Sequence, residues 1–263
     1  MNQTFWTAVG AIATLAGAIA AIWVALAPSN SSNISGQKPP EIQITLPSDK
    51  SKQQDICKSA TISTCRNDIR INAQAAVISC QGYVDCDQNN PAAFALLGQA
   101  NRVVGRLAAA EKSYEQQLML GQKNNDESVV AQAYHNLSVI YLEQNALDRA
   151  ESVFKKSLEL NLKSENKAGQ GANYKGLADV YLKRGNLPTA ENYFLKSSDI
   201  LTKIDDKIGI GNTYVGLGFT KLRAGERTAG CSYLQQARKI FEETKYPRGV
   251  GEVDNYLQRT GCR

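Results

Sequence analysis

Residues 131–170 read AQAYHNLSVIYLEQNALDRAESVFKKSLELNLKSENKAGQ, and residues 171–210 read GANYKGLADVYLKRGNLPTAENYFLKSSDILTKIDDKIGI. Laid one over the other without a gap, the two segments share a pattern that extends back to about residue 91 and forward to the end of the chain. Leu97, Leu137, Leu177 and Leu217 stand 40 residues apart, and Leu257 marks the slot once more. Phe94, Tyr134, Tyr174 and Tyr214 lie three residues before that leucine, and Gly105, Asn145, Gly185 and Gly225 lie eight after it. Ala110, Ala150, Ala190 and Gly230 follow, then Tyr114, Phe154, Phe194 and Leu234. A fixed period of this length means stacked supersecondary units, none of which buries its apolar face alone.

Within residues 131–170 the apolar positions recur at three-to-four spacing on both sides of a break, so each unit holds two helices. The break falls at Gln144 to Ala146, and its counterparts Gly105, Gly185 and Gly225 tolerate the left-handed backbone that closes a helix, with Asn145 as the usual substitute. Small side chains at Ala110, Ala150, Ala190 and Gly230 let paired helices approach closely. Gly169, Gly171, Gly209, Gly211, Gly249 and Gly251 recur with the same period and read as joints between units.

These residues resemble the tetratricopeptide repeat. The first copy carries Phe94, Leu97, Gly98, Gly105, Ala110 and Tyr114, and the third carries Tyr174, Leu177, Ala178, Tyr181, Gly185, Ala190, Phe194 and Ser197. The period departs from the usual ~34 residues, which implies slightly longer helices. The fourth copy departs too, with Lys221 in the Tyr slot and Gly230 in the Ala slot. The resemblance implies an all-α, right-handed superhelical solenoid of antiparallel helix pairs. It comprises repeats at 91–130, 131–170, 171–210 and 211–250 and a closing helix at 251–263, where Asp254 replaces the aromatic.

Ahead of the repeats, and after a four-residue tail (1–4), residues 5–27 carry no charged side chain. At ~1.5 Å per residue they span roughly 34 Å, enough to cross a bilayer. Trp6 and Trp23 suit its interfacial ends. A cleavable signal peptide competes, because Ala25-Leu26-Ala27 resembles a cleavage site; the apolar length, the lack of Lys or Arg before it and Pro28 after it favour an anchor. Residues 28–53, rich in Ser, Asn, Pro, Lys and Gln, read as a flexible linker, with an alternating run at Glu41–Leu46.

Four of the six cysteines lie at Cys57, Cys65, Cys80 and Cys86, in a segment (54–90) that reads as a degenerate helical hairpin capping the repeats. A hairpin sets early residues opposite late ones and favours Cys65 with Cys80 and Cys57 with Cys86. Four cysteines allow three pairings, and the sequence alone does not choose. Cys231 and Cys262 form the remaining pair. Six free buried thiols are the competing reading, and spacers of seven and five residues fit zinc poorly. Paired cysteines place the repeats in an oxidising, extracytoplasmic space. The thin positive charge after the span, beginning at Lys38, favours the opposite side.

Catalytic patterns are sparse: His135 is the sole histidine, it sits on a repeat helix, and neither phosphate-cradling glycine motif occurs. The reading is a non-enzyme without cofactor or metal. A formal charge of +5 comes with Lys and Arg interleaved among Asp and Glu, as in Lys203-Ile204-Asp205-Asp206-Lys207, which reads as a solvated face rather than a nucleic-acid surface.

The resemblance implies a concave face lined by the first helix of each unit, suited to a peptide or partner protein. Its lining positions fall at Gln99 and Arg102; His135, Asn136, Val139 and Glu143; Lys175, Asp179 and Lys183; and Phe219 and Arg223. Asn136 matches the family's backbone-gripping asparagine, but Leu96, Gly176 and Gly216 fill its other slots, which counts against a carboxylate clamp. The expectation is a single-pass, membrane-anchored interaction scaffold. The alternatives are a self-assembling structural protein, with Ala13, Gly17 and Ala21 as a helix-contact face, or a regulatory subunit sensing a short peptide.

Overall fold

The computed structural model describes residues 62–262; the tail, the apolar span at 5–27, the linker and the start of the cap lie outside the described residues. Eleven α-helices and no strand occur among the described residues: α1 Ile62–Ile71, α2 Ala73–Cys86, α3 Pro91–Val103, α4 Leu107–Lys123, α5 Glu127–Glu143, α6 Leu147–Lys163, α7 Lys167–Arg184, α8 Leu187–Lys203, α9 Lys207–Arg223, α10 Arg227–Glu243 and α11 Pro247–Thr260. None of these is long and apolar enough to cross a membrane. Each helix packs on the next in sequence, and the first helices of successive pairs also touch, which makes a solenoid of helix pairs.

One turn recurs throughout. Gly105, Gly185 and Gly225 have φ near 80°, and Asn125, Asn145, Glu165, Asp205 and Lys245 lie between 53° and 61°, so a left-handed residue falls every 20 residues from 105 to 245. The next N–H reaches back over the end of the helix, as from Ala146 to Tyr141 O (2.8 Å), Asn166 to Asn161 O (2.9 Å) and Tyr246 to Phe241 O (2.8 Å). That bond satisfies carbonyls the helix end would otherwise orphan. Turns within a pair carry the glycines and Asn145 legible in the sequence. Turns between pairs place Asn125 and Asp205, types that tolerate this conformation, and also Glu165 and Lys245, which carry no such signal, in the same conformation. Asp126, Asn166 and Asp206 then cap the following helices.

The joints between units are therefore not where the recurring glycines stand. Gly169 and Gly171 lie in the first turns of α7, Gly209 and Gly211 in α9, and Gly249 and Gly251 in α11. Their absent side chains make room instead: a Cβ on Gly171 would meet Leu201, and one on Gly211 would meet Phe241. The helix pairs accordingly run 127–163, 167–203 and 207–243, and the closing helix starts at Pro247, four residues ahead of the segment bounds read from the leucine register.

The core follows the periodic slots. Leu97, Leu137, Leu177 and Leu217 are buried, as are Ala110, Ala150, Ala190 and Gly230, and Tyr114, Phe154, Phe194 and Leu234. Each large side chain so buried contributes about 1.5–3 kcal/mol. Phe154 of α6 presses on the next pair at Gly176, and Phe194 of α8 does the same at Gly216; a Cβ on either glycine would strike the ring. Both ends of the stack are stapled. Cys65 is bonded to Cys80 across α1 and α2, and Cys231 to Cys262 across α10 and the end of α11. Cys86 is also disulfide-bonded; Cys57 lies outside the described residues. Asp254 sits on the closing helix, where Arg238 Nε donates to it at 2.6 Å.

Two glycine substitutions separate packing from propensity. Gly176→Ala drives a methyl into Phe154 and should cost about 1–3 kcal/mol. Gly82→Ala, in α2 with nothing within 4 Å of the added carbon, should be neutral or stabilise by up to about 1 kcal/mol. Denaturant unfolding of the two variants measures the difference.

Candidate functional site

The row of expected lining residues divides into an open part and a closed part. On the later pairs the charged members are occupied. Lys175 Nζ meets Asp179 Oδ2 at 2.8 Å one turn along α7. Lys183 Nζ donates to the Leu142 carbonyl at 2.9 Å, and Arg223 Nη1 donates to the Leu182 carbonyl. These two cations sit on the C-terminal ends of the preceding first helices, where orphaned carbonyls and the helix dipole favour positive charge. Phe219 is covered edge-on by Tyr256 of the closing helix, with ring centroids 4.9 Å apart. Lys183, Phe219 and Arg223 thus tie neighbouring helices together, Lys175 and Asp179 pair with each other on one helix, and the five do not converge on one space.

Gln99, Arg102, His135, Asn136 and Val139 do converge. They line a cavity of about 380 Å³ with Ala92, Ala95 and Leu96 of α3, Tyr114 of α4, Gln132 of α5 and Arg66 of the cap helix α1. Arg102 Nη1 also reaches Glu143 Oε1 at 2.6 Å, closing the upper edge between α3 and α5. The cavity coincides with a break in the ring-on-glycine rule. Residue 136, which corresponds to Gly176 and Gly216, is asparagine, and the Tyr114 ring lies instead against Gly98 of its own pair. Burial pushes the Tyr114 hydroxyl up to about 12, against the pull of Arg102, so it stays protonated as a donor on the cavity wall. A second hollow of about 410 Å³ lies between α4, α5 and α6, beside Tyr134 and Lys156, and includes none of the expected residues.

Two polar chains run from the cavity into the core. Gln117 is fully buried; its Nε2 donates to Gln132 Oε1 at 2.8 Å, and its Oε1 accepts from Asn136 Nδ2 at 3.2 Å. The second joins His135 Nδ1 to Asn173 Oδ1 (2.9 Å), Asn173 Nδ2 to Ser157 Oγ (2.9 Å) and Ser157 Oγ to the Ala131 carbonyl (2.7 Å). Ser197 repeats part of it one period on, donating to the Gly171 carbonyl at 2.8 Å. Ser157, Ser197, Asn173 and Thr213 are buried; Ser197 entered the sequence reading only as the small residue of the repeat pattern, and the other three did not enter it. Their one signal is a polar residue recurring at the same slot of an otherwise apolar register. Phe154 supports the His135 ring edge-on, with centroids 5.6 Å apart.

His135 has its pKa lowered by burial, with the Asn173 hydrogen bond opposing and the Lys175 and Arg102 charges assisting. The unfolded chain therefore takes up a proton at a higher pH than the folded one. Above the ordinary histidine range the group adds no pH dependence; as pH falls through about 6.5, protons bind to the unfolded state first and stability drops. His135→Gln should flatten the stability curve between roughly pH 6.5 and 5, which denaturant midpoints measured across that interval will show.

The sequence of residues 73–255 matches the model of the family described as the MalT-like TPR region. Solved structures of the same architecture include a Podosopora anserina putative kinesin light chain with nearly identical TPR-like repeats. It is 17% identical, has a TM-score of 0.51, and the alignment covers 76% of this chain and 99% of that one. The apo form of RapI is 17% identical, with a TM-score of 0.53 and coverage of 80% and 85%. BtubC from P. vanneervenii is 13% identical, with a TM-score of 0.50 and coverage of 79% and 90%. At these identities the likeness is one of fold. No curated protein sequence matches the chain.

Proposed function

We propose that this chain, which belongs to the family of MalT-like TPR regions, is an interaction scaffold that holds a segment of another protein against the first helices of its repeats. The cavity between α1, α3 and α5 carries this reading. There, polar side chains from three successive first helices meet around one open space, while further along the row the same positions are bonded to one another or to neighbouring helix ends. Convergent polar groups in a concavity are the usual mark of a ligand site. The rest of the row supplies rigidity.

The closing helix argues against open-ended stacking of copies at the C-terminal end. Glu252, Asn255, Gln258 and Arg259 are exposed on α11, a polar outer surface of the kind that terminal repeats use to stay soluble. The uncharged segment 5–27 would tether the scaffold to a membrane through the 28–53 linker. Stapled cysteines at both ends support an oxidising, extracytoplasmic location for the repeats.

Site-directed photocross-linking in the full-length, membrane-borne protein tests the groove. A photoreactive residue at Gln99, exposed on the cavity wall, should give a discrete adduct, whereas one at the exposed Ser152 of α6 should not. Adducts at Ser152 and none at Gln99 would contradict the assignment. Thiol alkylation tests the location separately: cysteines in cells should react only after reduction, and ready reaction of all six in unfolded, unreduced protein would move the repeats to a reducing compartment.

A further inference from the structure

The hydrogen-bond chain behind His135 fixes which of its nitrogens carries the proton. The Ala131 carbonyl only accepts, so the Ser157 hydroxyl spends its single hydrogen there. Ser157 Oγ must then accept from Asn173, which places the Asn173 Nδ2 amino group toward Ser157 and its Oδ1 toward His135. An oxygen facing Nδ1 requires Nδ1 to donate. A neutral ring that donates from Nδ1 leaves Nε2 with a bare lone pair. Among the described residues no buried side-chain nitrogen or oxygen lacks a partner, and Nδ1 is the ring nitrogen that is bonded. Nε2 is therefore not sealed in the core, and the open space that His135 lines is the cavity.

The same reading applies to the second chain. Asn136 gives an amide hydrogen to Gln117 and keeps its Oδ1 as an acceptor, and Gln132 accepts from Gln117 and keeps its amide hydrogens as donors. The wall thus offers acceptors at His135 Nε2, Asn136 Oδ1 and the Gln99 amide oxygen, and donors on Arg66, Gln99, Arg102, Tyr114 and Gln132. A carboxylate has only acceptors and would leave the histidine lone pair facing another lone pair. A carboxamide has both halves.

We propose that the cavity binds an amide group of the partner, whose N–H donates to His135 Nε2 and whose oxygen accepts from the donors on the same wall. This deepens the scaffold reading and rests on it. The amide comes from an asparagine or glutamine side chain or from a peptide backbone, and both sources share this chemistry.

Because His135 is the sole histidine of the chain, ¹⁵N-histidine labelling of the full-length protein gives one imidazole to read by NMR. At pH 7 its two nitrogens should report the Nδ1–H tautomer. N-acetyl-glutamine N-methylamide should then shift the Nε2 resonance and, where its side chain is the group bound, should do so at least twofold more than N-acetyl-glutamate N-methylamide at equal concentration. N-acetyl-alanine N-methylamide distinguishes the sources: a shift equal to that of the glutamine probe assigns a backbone amide, and a smaller one assigns the side chain. Acidification should abolish the shift, since a protonated Nε2 donates instead of accepting. The charged and titratable groups around the ring are Arg66 from α1, Arg102 from α3, Tyr114 from α4, Glu143 at the end of α5, and Lys175 with Asp179 from α7. None of the carboxylates among them is bonded to Nε2.

The Nε2–H tautomer or an imidazolium at pH 7 overturns the proposal, as does a larger shift with glutamate, or no shift with any probe. Each of those results leaves the cross-linking test of the groove intact, so the two readings fail separately. Asn173→Asp supplies a control on the chain itself. A carboxylate at that position favours the protonated ring, and the variant should lose the glutamine preference; a retained preference would show that the tautomer does not set it.

Discussion

The stack depends on an aromatic ring from one helix pair reaching the backbone of the next. Phe154 and Phe194 can make that approach only because Gly176 and Gly216 have no side chain. The contact sets how closely successive pairs nest, and so where the first helices of neighbouring pairs touch. A helix pair alone cannot bury such a ring. The pairs are therefore interdependent, and the ends need terminal helices, which the two disulfides hold in place.

The candidate site follows from an exception to that contact. Between the first two pairs the ring is Tyr114, it lies on Gly98, and asparagine stands where the later pairs have glycine. The space that phenylalanine closes elsewhere is bordered here by amides, a hydroxyl, an imidazole and two guanidinium groups. Polar groups placed this way would be costly if buried without partners. The amides, the imidazole and Arg102 are satisfied by Gln117, by Asn173 and Ser157, and by Glu143, while hydrogen-bonding faces stay open to the cavity.

Much of the fold was legible because packing repeats itself in sequence. The leucine slot, the small-residue slot and the slot of Tyr114, Phe154, Phe194 and Leu234 are buried, while that of Phe94, Tyr134, Tyr174 and Tyr214 is half-buried, and Gly105, Asn145, Gly185 and Gly225 are the left-handed turn residues within pairs. The turns between pairs were less legible, since Asn125 and Asp205 are of types that tolerate this conformation whereas Glu165 and Lys245 adopt it without such a signal. That misplacement carried over to the glycines a few residues further on, which serve close packing inside helices. For the site, the family resemblance marked five of the cavity's residues but not their division from the rest of the row. Whether Arg102, Lys183 or Arg223 faces a ligand or a neighbouring helix end depends on contacts about 40 residues away, and a period fixes register without fixing what each long side chain reaches. The internal polar chain through Ser157 and Asn173 was hidden for the same reason: each residue alone is an ordinary helical Ser or Asn.

A double-mutant cycle on Phe194 and Gly216 tests the central contact most directly, with unfolding free energies measured for Gly216→Ala, Phe194→Leu and the pair. If ring and backbone are in the approach described, leucine vacates the space the new methyl needs. The double variant should then be more stable than the sum of the single effects by about 1 kcal/mol or more. Additive effects within a few tenths of a kcal/mol would mean that the ring does not rest on that glycine, and the account of how the pairs nest would be wrong.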